Sequence, residues 1–200
     1  MNRITSWLGA IGLLGCLAAA GTDVAGFSIS GAYSPVSQTI SNLAAGRLGW
    51  IQDAGLYLYA VGCIACAGGL LLVLPKQFRW GMSTALLFLF GVDIIILTSF
   101  HHYFYVPGET PLHISTSAFL AVAFAVFTWG IAPALAPAGK AWPIFSRAVC
   151  ILWIISAPFF EVVSSEWVGL YERYLGAILL IWVGCLAWTM LFRPQPAIDG

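Results

Sequence analysis

The chain has 200 residues, of which 60% are hydrophobic and 8% are charged, and its formal net charge is zero. Soluble domains carry about 25% charged residues, so this composition excludes a soluble protein, because too few charges remain to cover its surface. A zero net charge without any basic run also excludes nucleic acid as a partner. All five cysteines lie inside apolar stretches, which argues against a disulfide framework.

Six apolar stretches are long enough to cross a bilayer as helices, which takes about 20 residues at about 1.5 Å each. The first follows Arg3 as a signal peptide would, but it is long enough to span, so we expect a retained helix. No soluble domain fits between the stretches. The predicted fold is therefore all-α, a single six-helix transmembrane bundle. The predicted spans are 4–24, 50–74, 80–100, 112–135, 145–160 and 168–192.

The basic residues predict the orientation of these spans. With the N-terminus in the cytoplasm, Arg47 and Arg173 lie outside and the other six basic residues lie inside, which agrees with the positive-inside rule. We therefore expect a multi-pass protein of a prokaryotic inner membrane, with both termini cytoplasmic. The six cytoplasmic residues are Arg3, Lys76, Arg79, Lys140, Arg147 and Arg193.

The connector between the first two spans contains a helix signal of its own. Ser34 followed by Pro35 is typical of a helix start, and apolar residues recur at helical spacing at Val36, Ile40 and Leu43. This pattern predicts a short helix lying in the outer interface. It could act as a lid over an outward cavity, or it could simply connect two spans.

Asp93 is an acid inside the third span, about 10 Å below its outer end at helical rise. A carboxylate at that depth is costly unless it is paired or neutral, so we expect it to face the bundle interior. Arg173 at the outer end of the sixth span is the predicted partner in a structural ion pair, and His113 is the second choice. A role for Asp93 in a functional site is the alternative.

The three histidines of the chain lie close together in the sequence. His113 falls near the N-terminus of the fourth span, where the helix dipole disfavours a protonated imidazole and keeps it ready to bind a metal. His101 and His102 end the preceding span, and Glu109 lies between them and His113. These four residues are the candidate ligands of a metal ion. No other cofactor is predicted.

Three side chains are candidates for catalysis, because we expect them to converge in one outer layer where they could meet a lipid head group. They are Asp93, His113 and Glu172, acting as general base or metal ligands. Cys63 and Cys66 form a C-x-x-C pattern in the middle of the second span. We interpret these two as small apolar packing residues among neighbouring glycines and alanines.

Three short motifs carry a resemblance to a known family. They are the sequence SQTISNL at 37–43, Leu112-His113 and Glu172-Arg173. With them the chain resembles the DUF998 family of prokaryotic membrane proteins over nearly its whole length. It departs from the family pattern at Asn42 and at residues 100–102. The resemblance implies the six-helix fold and implies no particular activity.

Three classes of function follow from these observations. The first is a non-enzymatic membrane protein, either an accessory subunit of a larger membrane complex or a binder of lipid or quinone, with an outward-facing ionisable cluster. The second is a membrane-embedded enzyme, metal-dependent in one version, that acts on lipid head groups at the outer face. The third is a proton-coupled transporter that uses Asp93. Membrane lipid is an expected partner in every case.

Overall fold

The computed structural model describes residues 3–100 and 111–192, except for the side chains of residues 100, 111 and 112. All regular structure in these ranges is helical. Short 3₁₀ segments, Ala132–Ala138 and Ala157–Val162, follow α5 and α6. The helices are α1 (Arg3–Ile29), α2 (Ile40–Ala44), α3 (Gly49–Val73), α4 (Phe78–Phe100), α5 (Pro111–Ile131), α6 (Trp142–Ser156) and α7 (Val168–Phe192).

Six helical segments are long and apolar enough to cross a membrane, and the short helix α2 lies between the first two. The predicted six-span, all-α fold is therefore confirmed, and the chain is a multi-pass membrane protein. The fifth span begins at Trp142, earlier than predicted, with Pro143 in its first turn, where the missing N–H costs nothing.

The connector helix α2 starts later than the sequence pattern indicated. Its N-cap is Thr39, whose side chain accepts a hydrogen bond from the Asn42 backbone at 3.1 Å, while the Asn42 side chain accepts from the Thr39 backbone at 3.0 Å. This reciprocal capping box fixes the start of the helix at Ile40. The Ser34-Pro35 pair lies in a turn before it.

The long helices form a ring in which each packs against the next in sequence, and α7 closes the ring against α1. The α1–α3 contact is the most extensive because small residues let the backbones approach closely. A Cβ added at Gly62 would lie 3.2 Å from the Gly12 Cα, and one added at Gly15 would lie 2.5 Å from the Leu58 carbonyl oxygen. The expected close packing around the C-x-x-C segment is therefore present.

Aromatic rings fill the middle of the bundle where α4 to α7 meet. The Phe124 ring centroid lies 5.2 Å from that of Phe127, 5.0 Å from that of Trp153 and 6.2 Å from that of Trp182. The Trp182 indole N–H donates to the Ser146 hydroxyl at 3.0 Å, so its polar group is satisfied. At this level the interior is packed side chain rather than open space.

Candidate functional site

Arg173, in the second turn of α7, forms a bidentate ion pair with Asp23 of α1. Its Nε donates to Asp23 Oδ2 and its Nη2 donates to Asp23 Oδ1, each at 2.9 Å. The two side chains are 14% and 15% exposed, so the pair is largely shielded from solvent and lipid. Two parallel charge-assisted hydrogen bonds make this a strong pairing geometry.

The predicted pair between Asp93 and Arg173 is wrong, because the structure places Asp93 much deeper in the bundle. A Cβ added at Gly91 would lie 2.8 Å from the Ala60 carbonyl oxygen of α3, and Gly62 of α3 packs against Gly12 of α1. Because α3 and α4 run antiparallel, the position two residues beyond Gly91 is level with Leu58, which packs against Gly15 close to the middle of the 27-residue helix α1. Asp93, two residues beyond Gly91, therefore lies near mid-bundle.

Asp23 lies eight residues beyond Gly15 along α1 (23 − 15), which is about 12 Å at helical rise. Arg173 sits at the level of Asp23, and α4 is not a ring neighbour of α7. Depth and helix order thus both separate Arg173 from Asp93. Asp23 was not predicted as the partner of Arg173, although its position as the one acid of the first span was a usable signal.

The remaining donors of Arg173 hold the connector between α1 and α3. Nη1 donates to the carbonyl oxygens of Pro35 at 2.9 Å and Gln38 at 3.1 Å, and Nη2 donates to the Tyr33 hydroxyl oxygen at 2.8 Å. The guanidinium thus replaces water for backbone carbonyls that have no partner within a helix. Arg173 binds α1, α7 and the connector together.

Tyr33 extends this hydrogen-bond network to the carbonyl groups of Gln38 and Thr39 in the connector. Its hydroxyl lies 2.7 Å from the Gln38 carbonyl oxygen and 2.6 Å from that of Thr39, so its one proton is shared between the two acceptors. Burial raises the pKa of Tyr33 above its ordinary value and outweighs the opposing effect of the Arg173 guanidinium. The phenol therefore stays protonated and able to donate.

Glu172, next to Arg173, accepts a hydrogen bond from the backbone N–H of Ile40 at 2.5 Å. Ile40 is the first residue of α2, where an N–H has no acceptor inside the helix. A Cβ added at Gly169 would collide with the backbone of Gln38, so the connector rests directly on the first turn of α7. We call Asp23, Tyr33, Glu172 and Arg173 the connector clamp.

A shallow, open groove of about 720 Å³ lies between α1, α6 and α7, at the end of the bundle where α1 begins. Its wall is mainly apolar, and Lys140 is the one charged side chain among its described lining residues. This groove was not predicted from the sequence, because its walls come from helices far apart in the chain. The lining residues are Leu13, Gly139, Lys140, Ala141, Trp142, Phe145, Gly184, Cys185, Trp188 and Thr189.

The family described as "Protein of unknown function (DUF998)" matches the chain over residues 13–189. The chain belongs to the DUF998 family. This match confirms the resemblance and spans both the connector clamp and the groove. No curated protein and no solved structure matches the chain.

Two of the motifs that carried the resemblance to DUF998 meet in space. The SQTISNL sequence at 37–43 supplies the carbonyl of Gln38 and the N–H of Ile40, and the Glu172-Arg173 pair binds both. In this DUF998 protein the two motifs are therefore two halves of the connector clamp. Their contacts are structural, since they run mainly to backbone groups.

The three candidate catalytic residues are not brought together in this DUF998 protein. Gly130 packs against Ser83, which places His113 level with residue 100 of α4, about 10 Å along the bundle from Asp93. Glu172 is bound to the connector. Asp93 is 7% exposed, and its Oδ2 has no hydrogen-bond partner in the described part of the chain.

Of the candidate metal ligands, His113 alone falls within the described part of this DUF998 chain. His101, His102 and Glu109 lie outside the described residues. Residues 3–100 and 111–192 contain no group of three histidine, cysteine or acidic side chains placed to hold a metal ion. The metal site predicted from the sequence stays a prediction.

Proposed function

We propose that this protein is a non-enzymatic integral membrane protein that binds a membrane lipid in the groove between α1, α6 and α7. The groove itself is the observation that carries the proposal. Its volume of about 720 Å³ falls within the range typical of ligand sites, and its apolar wall, with Lys140 as the cation among the described lining residues, matches an acyl chain with a polar head.

The connector clamp supports a non-enzymatic protein over a lipid-modifying enzyme. Catalytic groups must touch the reacting atoms of a substrate, whereas Arg173 and Glu172 bind Asp23, the Tyr33 hydroxyl and connector backbone groups. Glu172, one of the residues expected from the sequence to form an outward-facing ionisable cluster, thus has a structural task. The protein could perform its binding alone or as an accessory subunit of a larger membrane complex.

The distribution of charge supports a prokaryotic inner membrane with the α1 start on the cytoplasmic side. Neighbouring helices run antiparallel, so Arg3, Lys76 and Lys140 share one end of the bundle. Alkaline phosphatase fused after Ser164, between α6 and α7, should be active, and a fusion after Gly139 should be inactive. The opposite pattern would overturn this orientation.

Filling the groove tests the lipid-binding proposal. A Cβ at Gly184 would meet Cys16 Sγ at 3.9 Å, an ordinary contact, so Gly184→Phe should fold and place its ring in the groove. Gly176→Phe, on the same helix with nothing within 4 Å, is the matched control outside the groove. Native mass spectrometry of protein purified in mild detergent should show lipid lost from Gly184→Phe alone. Equal lipid retention in both variants would contradict the proposal.

A proton-coupled carrier is the second candidate, and Asp93 is the observation that favours it. This acid lies near mid-bundle, is 7% exposed, and has no cation partner among the described residues. In proteoliposomes under an imposed potential, the wild type should then move protons and Asp93→Asn should not. Equal proton flux in both proteins, at the background of empty vesicles, would contradict a proton path through Asp93.

A further inference from the structure

Charged side chains are segregated between the two ends of the bundle. At the end where α1 begins, every charged residue in the described part of the chain is a cation. The described acids lie elsewhere, with Asp93 near the middle and the others toward the opposite end. The cations are Arg3, Lys76, Arg79, Lys140 and Arg147, and the acids are Asp23, Asp53, Asp93, Glu161, Glu166 and Glu172.

Lys140 is the cation of this end that reaches the groove. It is exposed in the short turn before α6, and it lines the groove together with Trp142 and Trp188. Two other cations of this end lie over indole rings outside the groove. The guanidinium of Arg79 lies 4.9 Å from the ring centroid of Trp80, and that of Arg147 lies 5.6 Å from the ring of Trp129.

The geometry of the groove matches a phospholipid. The apolar side chains of Leu13 and Phe145 line its wall, and the exposed Trp188, of a residue type that prefers the membrane–water interface, lines the same groove as Lys140. A lysine ammonium is a compact point charge suited to a phosphate oxygen. An acyl chain along the helices would therefore bring the head group to Lys140.

The charge of this end selects between two kinds of head group. A zwitterionic head group carries an ammonium of its own, which needs a carboxylate or must remain in water. Among the described residues no carboxylate lies at this end of the bundle. Among the described side chains of this end an anionic head group meets only cations, and each basic residue near the surface favours it.

We propose that the groove binds a phospholipid with a net negative head group, held at Lys140 by its phosphate. This inference rests on the proposed function and adds the chemical class of the lipid. The expected preference for an anionic over a zwitterionic lipid is about fivefold, the ratio that one lysine near the head group supports.

Competition between two lipids with the same acyl chains tests the inference. The purified protein is exchanged into equal amounts of phosphatidylglycerol and phosphatidylcholine, and the retained lipids are counted by native mass spectrometry. Lys140→Gln should lower the preference about fivefold, to near unity, while lipid is still retained. Lys76→Gln removes the same charge from the same end outside the groove, and should keep the preference.

The two proposals fail in distinguishable ways. If Gly184→Phe removes the lipid but Lys140→Gln leaves the preference intact, the head-group inference is overturned and the proposed function stands. If Lys76→Gln lowers the preference as much as Lys140→Gln does, general surface charge rather than the groove selects the lipid. If Gly184→Phe retains as much lipid as Gly176→Phe, the proposed function itself fails. Circular dichroism and size-exclusion profiles matching wild type establish that each variant is folded.

Discussion

Asp23 and Asp93 are both acids on membrane-spanning helices, yet their surroundings differ completely. Asp23 receives two hydrogen bonds from Arg173 and belongs to a network that reaches the connector. Asp93 is more deeply buried and has no cation partner in the described part of the chain. The difference teaches that a single arginine can neutralise only the acid that shares its depth and a neighbouring helix. Asp23 therefore supports the fold, whereas Asp93 is left for another role.

Removing Arg173 should produce the largest loss of stability. Arg173→Gln leaves Asp23 shielded without its cation and frees the connector carbonyls, so the free energy of unfolding should fall by about 3–5 kcal/mol. Denaturant titration in mixed micelles measures this loss. Arg147→Gln, an exposed arginine over an indole ring, is the control and should cost about 0.5–1 kcal/mol. Equal losses of stability in Arg173→Gln and Arg147→Gln would refute a special role for the connector clamp.

Glu172→Leu should have the next largest effect. The change leaves the backbone N–H of Ile40 without its acceptor, which should cost about 1–3 kcal/mol. Hydrogen exchange should quicken at Ile40 while the middle of α7 stays protected. Glu166→Leu, at an exposed site in the turn before α7, should leave exchange at Ile40 unchanged. Unaltered exchange in the Glu172 variant would show that this contact does not hold the connector.

Tyr33→Phe should have a smaller effect, because it removes one hydroxyl and leaves the ion pair in place. The Arg173 guanidinium loses one acceptor and the carbonyls of Gln38 and Thr39 lose a donor, which should cost about 1 kcal/mol. The same denaturant titration measures it. A loss as large as that of Arg173→Gln would mean that Tyr33, rather than the ion pair, dominates the clamp.

Asp93→Asn should have the smallest effect on stability. The amide has the same shape as the carboxyl group, and no cation among the described residues loses its partner, so the change should cost less than about 1 kcal/mol, the net worth of one hydrogen bond. Thermal unfolding in detergent, compared with Asp23→Asn, provides the contrast. A loss of several kcal/mol in Asp93→Asn would show that Asp93 has a charge partner. The two acids would then not differ in the way described above.

The local features of this protein could be predicted from the sequence. Six spans and a short connector helix follow from runs of apolar residues and from capping signals, which depend on neighbours along the chain. The Glu172-Arg173 pair and the SQTISNL segment also stood out as motifs. Even here the start of α2 was misplaced, because the Thr39–Asn42 capping box outweighed the Ser34-Pro35 signal.

The tertiary structure alone decided which polar groups meet. Glycines such as Gly62 and Gly91 set the depth at which one helix lies against the next, and the ring order decides which helices touch. Hydropathy gives neither the depth at which two helices meet nor which helices touch, because lipid-facing and helix-facing apolar residues look alike along the chain. The partner of Arg173 and the groove beside Lys140 therefore emerge only once the helices are packed.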